Sequence, residues 1–220
     1  MKYKLLIIIG FVLQFSAFSG HAQSRSLKAL DAFYTQIRSL DTAFYQVQRD
    51  DKGKVIEKSK GRFTLTRPGR IRWEYTEPYK QLMISNSQTF WFYDVDLAQV
   101  TQRPAADALK GTPAILLSGG RGLRQQFNVT DEGKSKGLYW ARLAPKTDQG
   151  DFAFVRIGFT PDNEPRVMEL ADRLGNFTEI TFSRMQINPR ISSRTYDFVP
   201  PQGVEVVTEN MGMQTVPLQE

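Results

Sequence analysis

The sequence contains no cysteine and one histidine, His21. These scarcities exclude several kinds of chemistry. Nucleophilic systems built on a thiolate or an imidazole base need Cys or His. Zinc sites draw mainly on the same two residue types. Disulfides and Cys-x-x-Cys redox exchange are ruled out outright. Long apolar runs are scarce too. The N-terminal run Leu5–Phe18, interrupted by Gly10, Gln14 and Ser16, is shorter than the ~20 residues a membrane-spanning helix needs. Lys2 and Lys4 precede it and Gly20-His21-Ala22 follows, so residues 1–22 read as a secretory signal peptide cut after Ala22. That cut removes the histidine and places Gln23, not a lipid-anchor Cys, at the new N-terminus. Residues 23–220 are expected to form one domain, because no repeat, low-complexity stretch or linker divides them. A chain of that size buries roughly 70% of its unfolded surface and can hold together without disulfides.

Acidic residues are in the minority: Asp+Glu 23 against Lys+Arg 29, a net charge of +6. Lys52, Lys54, Lys58, Lys60, Arg62, Arg67, Arg70 and Arg72 cluster, with Glu57 as the one acid among them. This stretch is either an electrostatic surface for an acidic partner or anionic headgroups, or a solvated strand face. An exported chain is not expected to meet nucleic acid. Aromatic residues, by contrast, are plentiful, with Phe 15, Tyr 8 and Trp 3. They supply much apolar area at little rotamer cost, to a core or to a lipid-facing cavity.

The first element after the leader reads as a helix. Leu27, Leu30, Tyr34 and Ile37 recur at spacings of three and four, and Ser26 is placed to cap it. From about residue 41 the pattern turns to strands. Phe63 and Leu65 alternate with polar neighbours, as do Ile71, Trp73 and Tyr75. Phe90-Trp91-Phe92-Tyr93 is apolar on both faces, which leaves open which pair points inwards. Further strands are expected over 137–144, 151–160, 164–172, 176–187 and 195–199. Turn signals between them imply an antiparallel meander. Residues 104–120 break the pattern with two short helices. Thr112 caps the second, Pro113 starts it and Gly119-Gly120 ends it. Its Ala114-Ile115-Leu116-Leu117 core is apolar nearly all round, so it must be buried on more than one side. The expected fold is mostly β (α+β), a strongly curved antiparallel sheet whose hollow the helices cover.

Several segments resemble, in order, the LolA family of periplasmic outer-membrane lipoprotein carriers. They are Arg67-Pro68-Gly69-Arg70-Ile71-Arg72-Trp73-Glu74-Tyr75 with Pro78, Gln81–Ser85 with Phe90–Asp94, and Gln99-Val100-Thr101. Thr112–Leu117 and Phe198-Val199-Pro200-Pro201-Gln202-Gly203-Val204 complete the set. The turn Ser85-Asn86-Ser87-Gln88 departs from the Asp-Gly type usual there, and Val207–Glu220 matches no motif. The resemblance implies an incomplete β-barrel of about eleven strands with a helical lid over a hydrophobic cavity. It implies a soluble, monomeric periplasmic chaperone with no cofactor, no metal and no catalytic residue, which comes near membranes only transiently. Such a protein takes lipoproteins from an inner-membrane ABC transporter, shields their acyl chains and passes them to the outer-membrane receptor LolB.

On that resemblance Arg67 is the lid-locking residue, hydrogen-bonding to the helices through its five donors. Leu30, Tyr34, Ile37, Phe63, Leu65, Ile71, Trp73, Tyr75, Ile115, Leu116 and Leu117 are candidate cavity-lining residues, each with ordinary core packing as its alternative. Other readings are a sensor of periplasmic amphiphiles, which would need a second domain, and a carrier for a glycolipid or aryl-polyene precursor. An enzyme would have to use Asp94 and Asp96, a pair better read as a solvated strand end, and no sugar-binding cleft accompanies them.

Overall fold

The computed structural model describes residues 24–108, 116–117, 123–147 and 152–208. The expected signal peptide, Ile115 and the expected cap at Thr112 lie outside them.

Helix α1 (Arg25–Gln36) opens the described chain. Its N-cap is Ser24, whose hydroxyl accepts from Leu27 N, and not Ser26 as expected. Ser26 is instead buried, and its hydroxyl donates to Asp131. The buried stripe is Ser26, Ala29, Leu30 and Phe33, continued by Ile37 just past the helix end. Tyr34 and Leu27 flank it and pack against the same cluster.

Six strands follow: β1 (Ser39–Arg49), β2 (Val55–Thr66), β3 (Arg70–Glu77), β4 (Gln81–Asn86), β5 (Thr89–Asp94) and β6 (Gln99–Pro104). A short turn of helix, α2 (Ala105–Ala108), and the helical pair Leu116–Leu117 come next, then α3 (Leu123–Gln126). The second run of strands is β7 (Phe127–Ser135), β8 (Leu138–Pro145), β9 (Phe152–Phe159), β10 (Pro165–Asp172) and β11 (Phe177–Ile187). A 3-10 turn (Ser193–Tyr196) and β12 (Glu205–Thr208) complete the fold.

All these strands belong to one 12-stranded sheet in the order β12-β6-β5-β4-β3-β2-β1-β11-β10-β9-β8-β7. The two runs join where β1 pairs with β11. The outermost strands, β12 and β7, do not pair with each other, so the barrel is incomplete. Every pairing is antiparallel except β12 on β6. The strand beyond the expected eleven is β12, laid parallel on β6 and running into the tail from Val207 that matched no motif.

One expected strand is corrected, and two local irregularities shape the sheet. The strand expected over 195–199 does not form: Ser192 caps a 3-10 turn over Ser193–Tyr196, and Tyr196 packs fully buried on the sheet with its hydroxyl 2.8 Å from that of Thr66. Strand β7, which the sequence reading did not single out, carries a register shift between Asp131 and Lys134 that breaks its period. The Ser85–Gln88 turn closes its hairpin without an Asp-Gly pair. Ser87 adopts φ 80°, and Asn86 Oδ1 accepts from Gln88 N at 3.0 Å and Thr89 N at 2.9 Å.

The sheet has two apolar faces over β3–β6. On the convex side Ile84, Val100 and Tyr196 are buried. Phe198 packs there on Trp91 and Tyr93, with ring centroids 6.0 and 5.9 Å apart. On the concave side Phe90 packs against the main core. The ladder sets Phe92 opposite Met83 and Met83 opposite Trp73, so Phe92 shares that face. The orientation of residues 90–93 is thereby decided: Phe90 and Phe92 face inwards.

Candidate functional site

The concave face and its helical cover form one contiguous apolar cluster. Of the residues singled out in the sequence, Leu30, Ile37, Phe63, Leu65, Ile71, Trp73, Leu116 and Leu117 are buried members of it. Tyr34 and Tyr75 are partly buried and pack against it. Strand alternation explains the grouping: Phe63 sits opposite Trp73 and Leu65 opposite Ile71 across the β2–β3 ladder, all on one face. Residues that helix and strand spacing did not single out as lining complete the wall. Phe44 of β1 meets Trp73 at 5.3 Å and Tyr75 at 5.2 Å, and Phe159 of β9 meets Phe33 of α1 at 6.4 Å. Val155-x-Ile157-x-Phe159 carries the alternation that would have disclosed the second wall.

Arg67 stands between the sheet and its cover. It occupies the β2–β3 turn, where its own N–H donates to Arg38 O at 2.8 Å. One guanidinium nitrogen donates to Phe33 O at 2.6 Å and also to Ile37 O. The other terminal nitrogen donates to Leu117 O at 3.0 Å. The guanidinium also lies over the rings of Phe33 and Tyr34, at 4.5 and 5.2 Å. A cation suits this position, because the carbonyl end of α1 carries the negative end of the helix dipole. Burial nevertheless pulls the Arg67 pKa down, opposed by neighbouring Tyr34. Tyr34 makes the second tie: its hydroxyl donates to Leu116 O at 2.6 Å, and burial pushes its pKa up. Two side chains thus hold the carbonyls of consecutive residues in the short helical turn above the sheet.

Three residues of the basic stretch, Lys60, Arg62 and Arg72, are paired with acids on the outer face. Arg62 forms a two-point ion pair with Asp41 at 2.7 and 2.5 Å. Lys60 pairs with Glu77 at 2.7 Å and Arg72 with Glu74 at 3.1 Å. This is the solvated strand face, where each pair contributes about 0–1 kcal/mol. Asp94 is occupied by its turn, accepting from Asp96 N and Leu97 N at 3.1 Å and from Gln81 at 3.0 Å. Among the described residues, no helix is long and apolar enough to cross a membrane.

An unclosed, curved antiparallel sheet with an apolar concave face under a helical cover defines the class of incomplete β-barrels. Within that class the assignment is specific. The family described as "Outer membrane lipoprotein carrier protein LolA" matches residues 35–199, and the chain belongs to it. An outer-membrane lipoprotein carrier protein of Methylococcus capsulatus is 39% identical over 189 residues, covering 86% of this chain and 90% of the relative. One from Neisseria gonorrhoeae is 36% identical over 187 residues, covering 85% and 89%. The fold also resembles that of an uncharacterized conserved protein from Thermus thermophilus, with TM-score 0.58 and 12% identity over 84% of this chain and 100% of the other.

Proposed function

We propose that this chain is a periplasmic carrier of outer-membrane lipoproteins. It takes them as an inner-membrane ABC exporter releases them, covers their acyl chains and delivers them to the outer-membrane receptor LolB. In this reading residues 1–22 are a leader removed on export, the protein acts as a soluble monomer, and no step is enzymatic. The singled-out concave-face residues, with Ile115, receive the acyl chains, and Arg67 locks the lid.

The observation that carries the reading is the tie between cover and sheet. The apolar interior is closed by hydrogen bonds from Arg67 and Tyr34 to the carbonyls of Leu116 and Leu117, a contact that opens without breaking a covalent bond. Energetics favour such a device. Each buried methylene holds a lipid in a bilayer by about 0.8 kcal/mol, so an acylated protein does not cross water unaided. In the closed form the lining side chains pack on one another, and Phe63, Leu65 and Ile71 are wholly buried. Cargo must therefore displace existing contacts, which lowers its net affinity and permits release to an acceptor that binds more tightly.

The test is incubation of the purified protein with spheroplasts that secrete a labelled outer-membrane lipoprotein. The expected result is labelled cargo in the supernatant, co-purifying with the carrier. Cargo retained on the membrane sinks the proposal.

A further inference from the structure

The sequence holds three tryptophans, and the structure treats one of them differently. The indole N–H of Trp91 donates to Gln102 Oε1 at 3.2 Å, and that of Trp140 donates to Ser135 O at 3.1 Å. Both lie on the outer face of the sheet. Trp73 lies on the concave face, 5% exposed, and its Nε1 is buried with no hydrogen-bond partner. A buried donor left unpaired is costly, and native structures rarely leave one without a reason.

The surroundings indicate what this donor is for. Trp73 is walled by Phe63 at 4.8 Å and Phe44 at 5.3 Å, and it stacks on Tyr75 at 6.3 Å. Directly beside this aromatic wall the concave face turns polar. The Tyr75 hydroxyl donates to Gln46 Oε1 at 3.2 Å, and Gln46 is 4% exposed. Burial pushes the Tyr75 pKa up to about 12, against the pull of Gln46 and Trp73, so the phenol is neutral at ordinary pH. The Tyr75 hydroxyl spends its proton on Gln46, and the indole N–H makes no hydrogen bond. An indole N–H is a donor only and therefore selects an acceptor.

We infer that Trp73 Nε1, at the junction of the aromatic wall and the Gln46–Tyr75 pair, is a docking point for an acyl carbonyl oxygen of the bound lipid. The inference rests on the carrier reading and deepens it. An acyl chain is apolar along its length and ends in a carbonyl, which accepts hydrogen bonds and loses them when taken out of water. Pairing that oxygen with the unpaired indole N–H satisfies both groups at once. The site thereby distinguishes an ester- or amide-linked chain from a plain alkyl chain of equal length, and it sets how far the chain slides along the sheet.

The test compares two synthetic lipopeptides by titration calorimetry. Both carry a diglyceride-type cysteine with C16 chains; one has ester linkages and the other ether linkages, without carbonyls. The native protein is expected to bind the ester form about tenfold more tightly, the factor that one satisfied buried donor confers. Trp73→Phe keeps an aromatic ring in the wall and removes the N–H, so whatever its absolute affinity it should bind the two forms equally. A second measurement uses the unaltered chain, labelled with 15N. The Trp73 indole proton should move downfield with the ester ligand and not with the ether, while the Trp91 and Trp140 indole signals stay in place. No preference in the native protein overturns the inference, as does a preference that survives in Trp73→Phe. Binding of neither lipopeptide overturns the carrier reading itself, which separates the two failures.

Discussion

Arg67 shows what a single side chain can do when several carbonyls converge on it. Its nitrogens reach Phe33, Ile37 and Leu117, so it joins the end of α1, the lid turn and the sheet at one point. Arg67→Leu removes the donors and keeps an apolar side chain there. The variant is expected to accept cargo and to pass it to the receptor at least about tenfold more slowly, the effect of losing about 1.4 kcal/mol of preference for the reclosed state. Transfer measured from carrier to LolB-containing membranes checks this, and a normal rate counts against the lock. Tyr75 sets a second expectation. Its pKa is raised from 10.0 to about 12 chiefly by burial, so its contribution to stability is full below pH 10 and is lost as pH rises towards 12. Between pH 9 and 11 this group alone should remove about 1.4 kcal/mol of stability. Tyr75→Phe should lose that much less than the native protein in urea unfolding at the two pH values; equal losses would remove burial of Tyr75 from the account.

At the scale of the element, the β2–β3 ladder depends on a residue with no side chain. Gly61 faces Tyr75 across the ladder, beside a register shift at Lys60. A Cβ there would lie 1.8 Å from Glu74 O and 3.0 Å from a Phe44 ring carbon. The clash with backbone cannot be relieved by a rotamer change, so Gly61→Ala should destabilise by about 1–3 kcal/mol, the range found for overpacked sites. Denaturant midpoints of the two proteins measure it, and an unchanged midpoint would show that the strands separate freely. Elements were unequally legible in the sequence. The long hairpins could be read because Phe63, Leu65, Ile71 and Trp73 alternate cleanly over a half-buried face. β12 could not, since its pairing with β6 joins Glu205 to Gln99 and Val206 to Val100 across more than a hundred residues of chain. Nor could the turn at Ser193–Tyr196, which exists because Tyr196 finds a buried place over the convex face.

For the whole molecule, loading and closure compete for the same surface. Leu116, Leu117, Phe63 and Ile71 belong to one cluster, so an acyl chain among them must part the cover from the sheet. Hydrogen exchange should report this. Adding an acylated peptide is expected to raise exchange at the end of α1, where Phe33 O and Ile37 O lose Arg67, and to leave β9–β11 protected by their ladders. Unchanged exchange at the end of α1 on loading would show that cargo enters without opening the cover.

The strand and helix periods, the exclusion of cysteine chemistry and the set of apolar residues that gather on one face are all readable in the sequence, because side-chain period follows from local backbone geometry. The tertiary structure alone decided what those residues meet. It placed Phe90 and Phe92 inside and Trp91 and Tyr93 under Phe198, brought Arg67 to carbonyls from two other segments, and left the Trp73 N–H unpaired. Each of these depends on contacts between residues distant in the chain, which sheet closure brings together and local sequence does not encode.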